Sequence, residues 1–197
     1  NKLSIQMAAR ELRYNYFNTL VNTHHFTKIV TAHHANDQIE TFFINLLRSS
    51  GIQGLSGIPL QNENIIRPLL FATKLQIEEY AITNNIIFNT DSSNLKDDYL
   101  RNHLRHHVIP ALNQASTNAN RQILNSIQHV NDDAGLLQEL YQKAFEQMIS
   151  AHSHGLSINK TKLLTYNNAA HLLFWHLKNY GFNSHQVHNM LQNEQSG

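Results

Sequence analysis

The spacing of apolar residues changes several times along the first hundred positions, and each change marks an element. Leu3, Met7, Leu12, Tyr16, Phe17 and Leu20 recur near helical spacing, which predicts a helix over 3–22. HFTKIVTA then runs as a short β-favouring stretch around Phe26, Ile29 and Val30. From Ala35 to Ser50 the residues Ile39, Phe42, Phe43, Leu46 and Leu47 follow the i, i+3, i+4, i+7, i+8 template, so that face is expected in the core. Gly51 stands where a left-handed C-terminal cap is expected. GIQGLSGIP reads as a loop and NIIRPLL as a short apolar segment broken by Pro68. TKLQIEEYAITNN predicts a helix with Thr73 as its N-cap, and NIIFNT a further strand. Helices and strands alternating in this way predict an α/β fold with a partial, doubly wound, largely parallel sheet.

The pattern changes after Pro110. Residues 118–150 form one long helical run, with Ile123, Ile127, Val130, Leu137, Leu140, Phe145 and Ile149 as the expected buried positions. HSHGLS breaks it. TKLLTYNNAAHLLFWHLKNYGF then reads as a helical pair ending near Gly181, and SHQVHNMLQNEQ as a last helix. The chain is thus expected to divide into an α/β part, 1–112, and a small all-α part, 113–197. The aromatic group Phe174, Trp175 and Tyr180 is expected in the core of the second part.

Composition narrows the chemistry. In 197 residues, 41% hydrophobic and 15% charged, no run approaches the roughly eighteen apolar residues that would span a bilayer, so a cytoplasmic protein is expected. The sequence contains no cysteine, which removes disulfides, thiolate zinc sites and cysteine nucleophiles together. With a net charge of +1 there is no global field for nucleic acid, yet RNHLRHH gathers Arg101, Arg105 and three histidines within seven positions.

Polar residues concentrate in TAHHANDQIET, where the first strand hands over to the second helix. His33, Asp37 and Glu40 are spaced i, i+4 and i+7, which places them in one sector of that helix. In an open parallel sheet, the carboxyl end of a strand and the start of the next helix line the ligand crevice. Carboxylates there could hold Mg²⁺ against a phosphate chain, although the helix dipole alone also favours acidic residues in a first turn. Zinc is the weaker reading, because HHxxD lacks the HExxH arrangement and a third strong ligand.

Several strings together carry a resemblance. TAHHANDQIETFFINLLRSSGIQGLSGIP resembles AHHxxDQxETxxxxLxRGxGxxGLxG, and DSSNLKDDYLRNHLRHHVIPAL resembles DxSNxxxxYxRNxIRxxxxPxL. Both patterns belong to the tRNA(Ile)-lysidine synthetases, within the N-type PP-loop ATP pyrophosphatase family. NIIRPLL with TKLQIEEYA, and AARELRY near the start, fit the same order. Residues 4–112 resemble the family strongly, and the remainder in architecture and position.

The resemblance implies an ATP- and Mg²⁺-dependent carbon–nitrogen ligase. It would adenylate a wobble cytidine in the anticodon of an isoleucine tRNA, and free lysine would then displace AMP. Matched to the family's motifs, His33, Asp37, Glu40 and Arg105 are the expected catalytic residues, and Arg13, Arg48, Arg101 and Asn102 the expected substrate- or nucleotide-binding ones. Asp37 and Glu40 could hold the lysine ammonium and accept its proton, His33 could orient the cytidine, and Arg105 could stabilise charge on phosphorus. The expected partners are the anticodon region of isoleucine tRNA and free lysine, without a membrane, and with a homodimer as one oligomeric option. The family's SGGxDS phosphate loop is not in the sequence. The chain is therefore expected to be a piece lacking that loop and its strand, incomplete for catalysis alone. Two alternatives stay open. One is another PP-loop nucleotide-activating enzyme, against whose thiolase branch the missing cysteines weigh. The other is a non-catalytic tRNA-binding fragment.

Overall fold

The computed structural model describes residues 5–89, 100–153 and 155–192, with side chains from residue 8 onward. It divides into two compact units, up to Asp132 and from Asp133.

In the first unit, α1 (Ile5–His24) leads to β1 (Ile29–Val30), α2 (Ala35–Leu47), α3 (Ile52–Leu55), β2 (Gln61–Asn62), β3 (Ile65–Ile66) and α4 (Lys74–Thr83). α5 (Leu100–His103) passes through a π-helical turn, Leu104–Val108, into α6 (Ile109–Ala115). β1 pairs parallel with β3, and β3 pairs antiparallel with β2. The carboxyl ends of β1 and β3 therefore open on the same side, as in an α/β crevice. The wide turn precedes Pro110, which has no N–H to donate to the carbonyl four residues back, and it carries Arg105.

Backbone groups at the helix starts are satisfied across the crevice. Ala35 N donates to Ala72 O at 2.8 Å, and Lys74 N to Asn36 Oδ1 at 2.9 Å, so the starts of α2 and α4 are tied together. Thr73 caps α4 as predicted. Its hydroxyl accepts from Gln76 N, and Gln76 Oε1 accepts from Thr73 N. The core of this unit gathers Ile29, Ala35, Ile39, Ala72, Leu104, Ile109, Ala119 and Ile127.

Several expectations change. On α2, Ile39 is buried but Leu46 and Leu47 are exposed; Glu40 takes a place in the buried face instead. On α1, Leu12 and Tyr16 are exposed. The left-handed residue after α2 is Ser49 (φ 55°), whereas Gly51 is extended and precedes α3, a helical turn inside the predicted loop. NIIRPLL supplies the central strand β3, because Ile65 and Ile66 find partners on both sides. Ile86–Asn89, predicted as a strand, is irregular and exposed; the β-favouring run is present but no described strand pairs with it. Thr90 and most of the DSSNLKDDYL block lie outside the described residues.

Helix α7 (Ala119–Glu146) runs through the division between the units. In the second unit it is followed by a hairpin, β4 (Ile149–His152) and β5 (Gly155–Ile158), then α8 (Lys160–Leu163), α9 (Ala169–Leu177), a short 3₁₀ turn and α10 (Ser184–Gln192). The predicted break at HSHGLS is the turn of that antiparallel pair, so Ile149 is in a strand and not in the long helix. Phe145, Met148, Leu163, Leu172, Leu173 and Val187 form the buried cluster, and Phe174 packs against it. Trp175 is half-buried, its ring 4.8 Å from that of Tyr141, while Tyr180 and Leu140 are exposed. Among the described residues, no helix is long and apolar enough to cross a membrane.

Candidate functional site

A cavity of about 570 Å³ opens in the first unit between α1, the middle and end of α2, the end of β3 and α5. That volume suits a nucleotide-sized ligand. Its polar lining is dominated by arginine: Arg10 and Arg13 from α1, Arg48 from the end of α2, Arg67 just after β3 and Arg101 from α5. Among the described residues, no aspartate or glutamate lines it. His33, three residues beyond β1, completes the wall.

Of the residues predicted from sequence, His33, Arg13, Arg48 and Arg101 line this cavity; Asp37, Glu40, Arg105 and Asn102 do not. Glu40 lies within the protein, 1% exposed, and both of its oxygens are engaged. Arg105 donates from Nε to Oε1 at 2.7 Å and from Nη2 to Oε2 at 3.1 Å, a two-pronged pair. Arg101 Nε lies 3.4 Å from Oε2, and its Nη2 donates to Thr41 Oγ1 at 3.2 Å. One carboxylate thus holds two guanidiniums, one of which continues to the cavity wall. The hydrogen bond from Arg105 to Glu40 raises the Arg105 pKa further above its ordinary value, so its charge is permanent.

Asp37 caps α2. Its Oδ2 accepts from His34 N at 3.0 Å and faces His34 Nδ1 at 3.5 Å. Asn102 is half-buried on α5. Arg10 and Arg67 were missed from sequence. Arg10 lies one helical turn before Arg13 in AARELRY, a signal available from spacing; Arg67 follows two isoleucines and precedes a proline, and nothing local marks it.

His33 Nδ1 and Thr31 Oγ1 are 2.9 Å apart, which fixes the ring against β1. Burial lowers the His33 pKa below its ordinary 6.5; Asp37 opposes this, and Arg67, Arg10 and Arg101 add to it. The ring is therefore neutral at neutral pH and can accept a proton or a hydrogen bond. Because the folded-state pKa is depressed, the unfolded chain takes up the proton first as pH falls. The His33 contribution to stability is thus full above pH 6.5 and is lost as pH drops through the lowered native value. His176 in the second unit is lowered by burial and acts in the same direction. We expect the His33 ring to titrate below 6.5 by NMR, and His33→Asn to flatten the acid side of the stability profile. A ring titrating at or above 6.5 would remove this electrostatic picture.

Comparison with known proteins gives matches over most of the chain. The PP-loop domain family matches residues 1–112, and the TilS substrate binding domain matches residues 151–197. The tRNA(Ile)-lysidine synthase of Bacteroides thetaiotaomicron is 36% identical over 186 residues, covering 94% of this chain and 43% of that protein. The enzyme of the same name from Porphyromonas gingivalis is 36% identical over 94% of this chain and 40% of its own length. That from Chlorobaculum tepidum is 35% identical over 82% of this chain and 48% of its own. The chain spans less than half the length of these curated relatives. Every residue lining the arginine-rich cavity falls inside the 1–112 match, and the chain belongs to the PP-loop domain family.

Proposed function

We propose that this chain is part of a cytoplasmic tRNA(Ile)-lysidine synthetase, an ATP-dependent carbon–nitrogen ligase acting on the anticodon of an isoleucine tRNA. The observation that carries the reading is the cavity itself. Five arginines and a neutral histidine meet at the carboxyl ends of a parallel strand pair, with no carboxylate among the described residues of the wall, which suits phosphate-bearing substrates. The family resemblance carried by the sequence motifs implies the reaction. The C2 carbonyl oxygen of the wobble cytidine attacks the α-phosphorus of ATP and pyrophosphate leaves; the lysine ε-amine then attacks C2 and AMP leaves.

In this reading the arginines hold the phosphoryl oxygens as charge moves onto pyrophosphate and later onto AMP. Arg101 acts at the cavity wall, and Arg105 and Glu40 position it from behind. This revises the expected division of labour: Glu40, with both oxygens on guanidiniums, is a poor receptor for the lysine ammonium. Asp37 is the better one, since only its Oδ2 is used in capping. His33, held neutral, orients the cytidine or takes the amine's proton. The described cavity residues fit the phosphates of ATP. They offer Mg²⁺ no carboxylate, and no group of three metal-binding side chains occurs among the described residues, so Mg²⁺ enters only as a partner of ATP. A homodimer is retained as the oligomeric option.

The test is AMP release by the full-length protein with ATP and a transcript of the isoleucine tRNA. Release that requires lysine is expected. Release without lysine dependence favours another PP-loop activating enzyme, and tRNA binding without AMP release favours a non-catalytic module.

A further inference from the structure

Arg67 is 4% exposed, yet it forms no ion pair with any described residue. Nη1 donates to Pro59 O at 2.8 Å, while the buried Nε has no hydrogen-bond partner among the described residues. A guanidinium cannot shed its proton to escape burial, so an uncompensated one is unfavourable to place. Its neighbours around the cavity add to the imbalance. Arg10, which lies over the Tyr14 ring at 4.7 Å, Arg13 and Arg48 line the same space, and Arg101 already shares one carboxylate with Arg105. Arg67 is also close enough to His33 to disfavour its protonated form. A buried guanidinium without a described counter-charge, in a wall of like charge, is a receptor built for an anion.

We propose that Arg67, which lines this cavity, positions substrate by donating from its guanidinium to a phosphoryl oxygen there. The charge of the surrounding wall selects a phosphoryl group over a lone amino-acid carboxylate, because five guanidiniums suit a nucleotide or polynucleotide better than a single zwitterion. That group comes either from a polynucleotide backbone or from a mononucleotide. The inference rests on the proposed nucleotide-binding reading of the cavity, but its test needs no turnover. Absence of lysine-dependent AMP release would sink that reading and still leave the Arg67 result interpretable.

The experiment uses the full-length protein, unmutated and as Arg67→Gln and Arg67→Lys, with AMP and a tRNA transcript as separate probes at several salt concentrations. Arg67→Gln is expected to weaken at least one probe by about tenfold or more. If the group is a backbone phosphodiester, the slope of log K against log salt for the transcript falls by about 0.7–0.9, and AMP is unaffected. If it belongs to a mononucleotide, AMP weakens and the transcript slope holds. Arg67→Lys, which keeps the charge without the fork, is expected to restore the slope but only part of the affinity. A purely structural role, through Pro59, would leave the slope and both affinities unchanged in the folded protein. That result, or a rise confined to the lysine KM, overturns the proposal. Should Arg67→Gln not fold, the unmutated protein decides: neutralising Arg67 by AMP or transcript should raise the His33 titration midpoint, and no movement with either overturns it.

Discussion

Replacing Glu40 by glutamine is expected to destabilise the first unit by about 3 kcal/mol and to lower its thermal midpoint by roughly 10 °C. Glutamine keeps the shape and one acceptor oxygen. It removes the carboxylate that Arg101 and Arg105 share, and it turns an amide N–H₂ toward a guanidinium. Two cations then lose the counter-charge they share around a side chain that was 1% exposed. The loss belongs at the lower end of the range for broken buried pairs, because Arg105 and Arg101 keep side-chain exposures of 27% and 40% and can recover some hydration. High salt should change it little, since a buried pair is weakly screened. Arg105→Met in the Glu40→Gln background should cost less than it does alone, because the pair with the Glu40 carboxylate is already lost there. Thermal melts of the four proteins in this double-mutant cycle check both statements. Melting within about 2 °C of the parent for Glu40→Gln would mean that the triad is not held as described.

This triad also marks how far a sequence can be read. The spacing of His33, Asp37 and Glu40 on one helix was legible, and so was Arg105 as a motif residue. Their separation into different roles was not. Whether Glu40 faces a cavity or the interior depends on Arg105, 65 positions away, and no periodicity records that contact. Arg67 shows the same limit more sharply, because its chemistry comes from what is missing around it. Local signals served better for the fold. The Thr73 and Gln76 pair, three positions apart, announced the start of α4, and the long apolar period of α7 announced that helix. Strands were less legible. NIIFNT has the pattern of a strand but, over Ile86–Asn89, no described partner, whereas Ile65 and Ile66 became a central strand through neighbours that the pattern could not reveal. The hairpin β4–β5 has too few apolar residues to stand out from a helical surround.

The second large effect is expected at Gly57, where alanine should cost about 3 kcal/mol and disturb the cavity as well. Gly57 has φ +79°, a conformation that costs a residue with a Cβ about 1–2 kcal/mol. The added Cβ would press on Gln38 Oε1 and lie 3.0 Å from Ile127 Cγ2. Gln38 cannot simply move aside. Its Nε2 donates to Ile58 O at 2.8 Å and its Oε1 accepts from Ile58 N at 2.5 Å, a closed pair whose two bonds contribute about 1 kcal/mol each. Displacing that amide frees Ile58, which lines the cavity, and the adjacent Pro59 carbonyl, which receives Arg67 Nη1. The backbone strain and the lost amide pair therefore act on the same wall as the arginines. Gly135→Ala is the matched control: on an exposed face of α7, with nothing within 4 Å of its new Cβ, it should raise stability by up to about 1 kcal/mol. Denaturant melts of both variants give the comparison directly. A Gly57→Ala protein as stable as its parent would show that the Gln38 clamp can re-form around a Cβ, and that the loop bearing Ile58 and Pro59 is not what holds Arg67 in place.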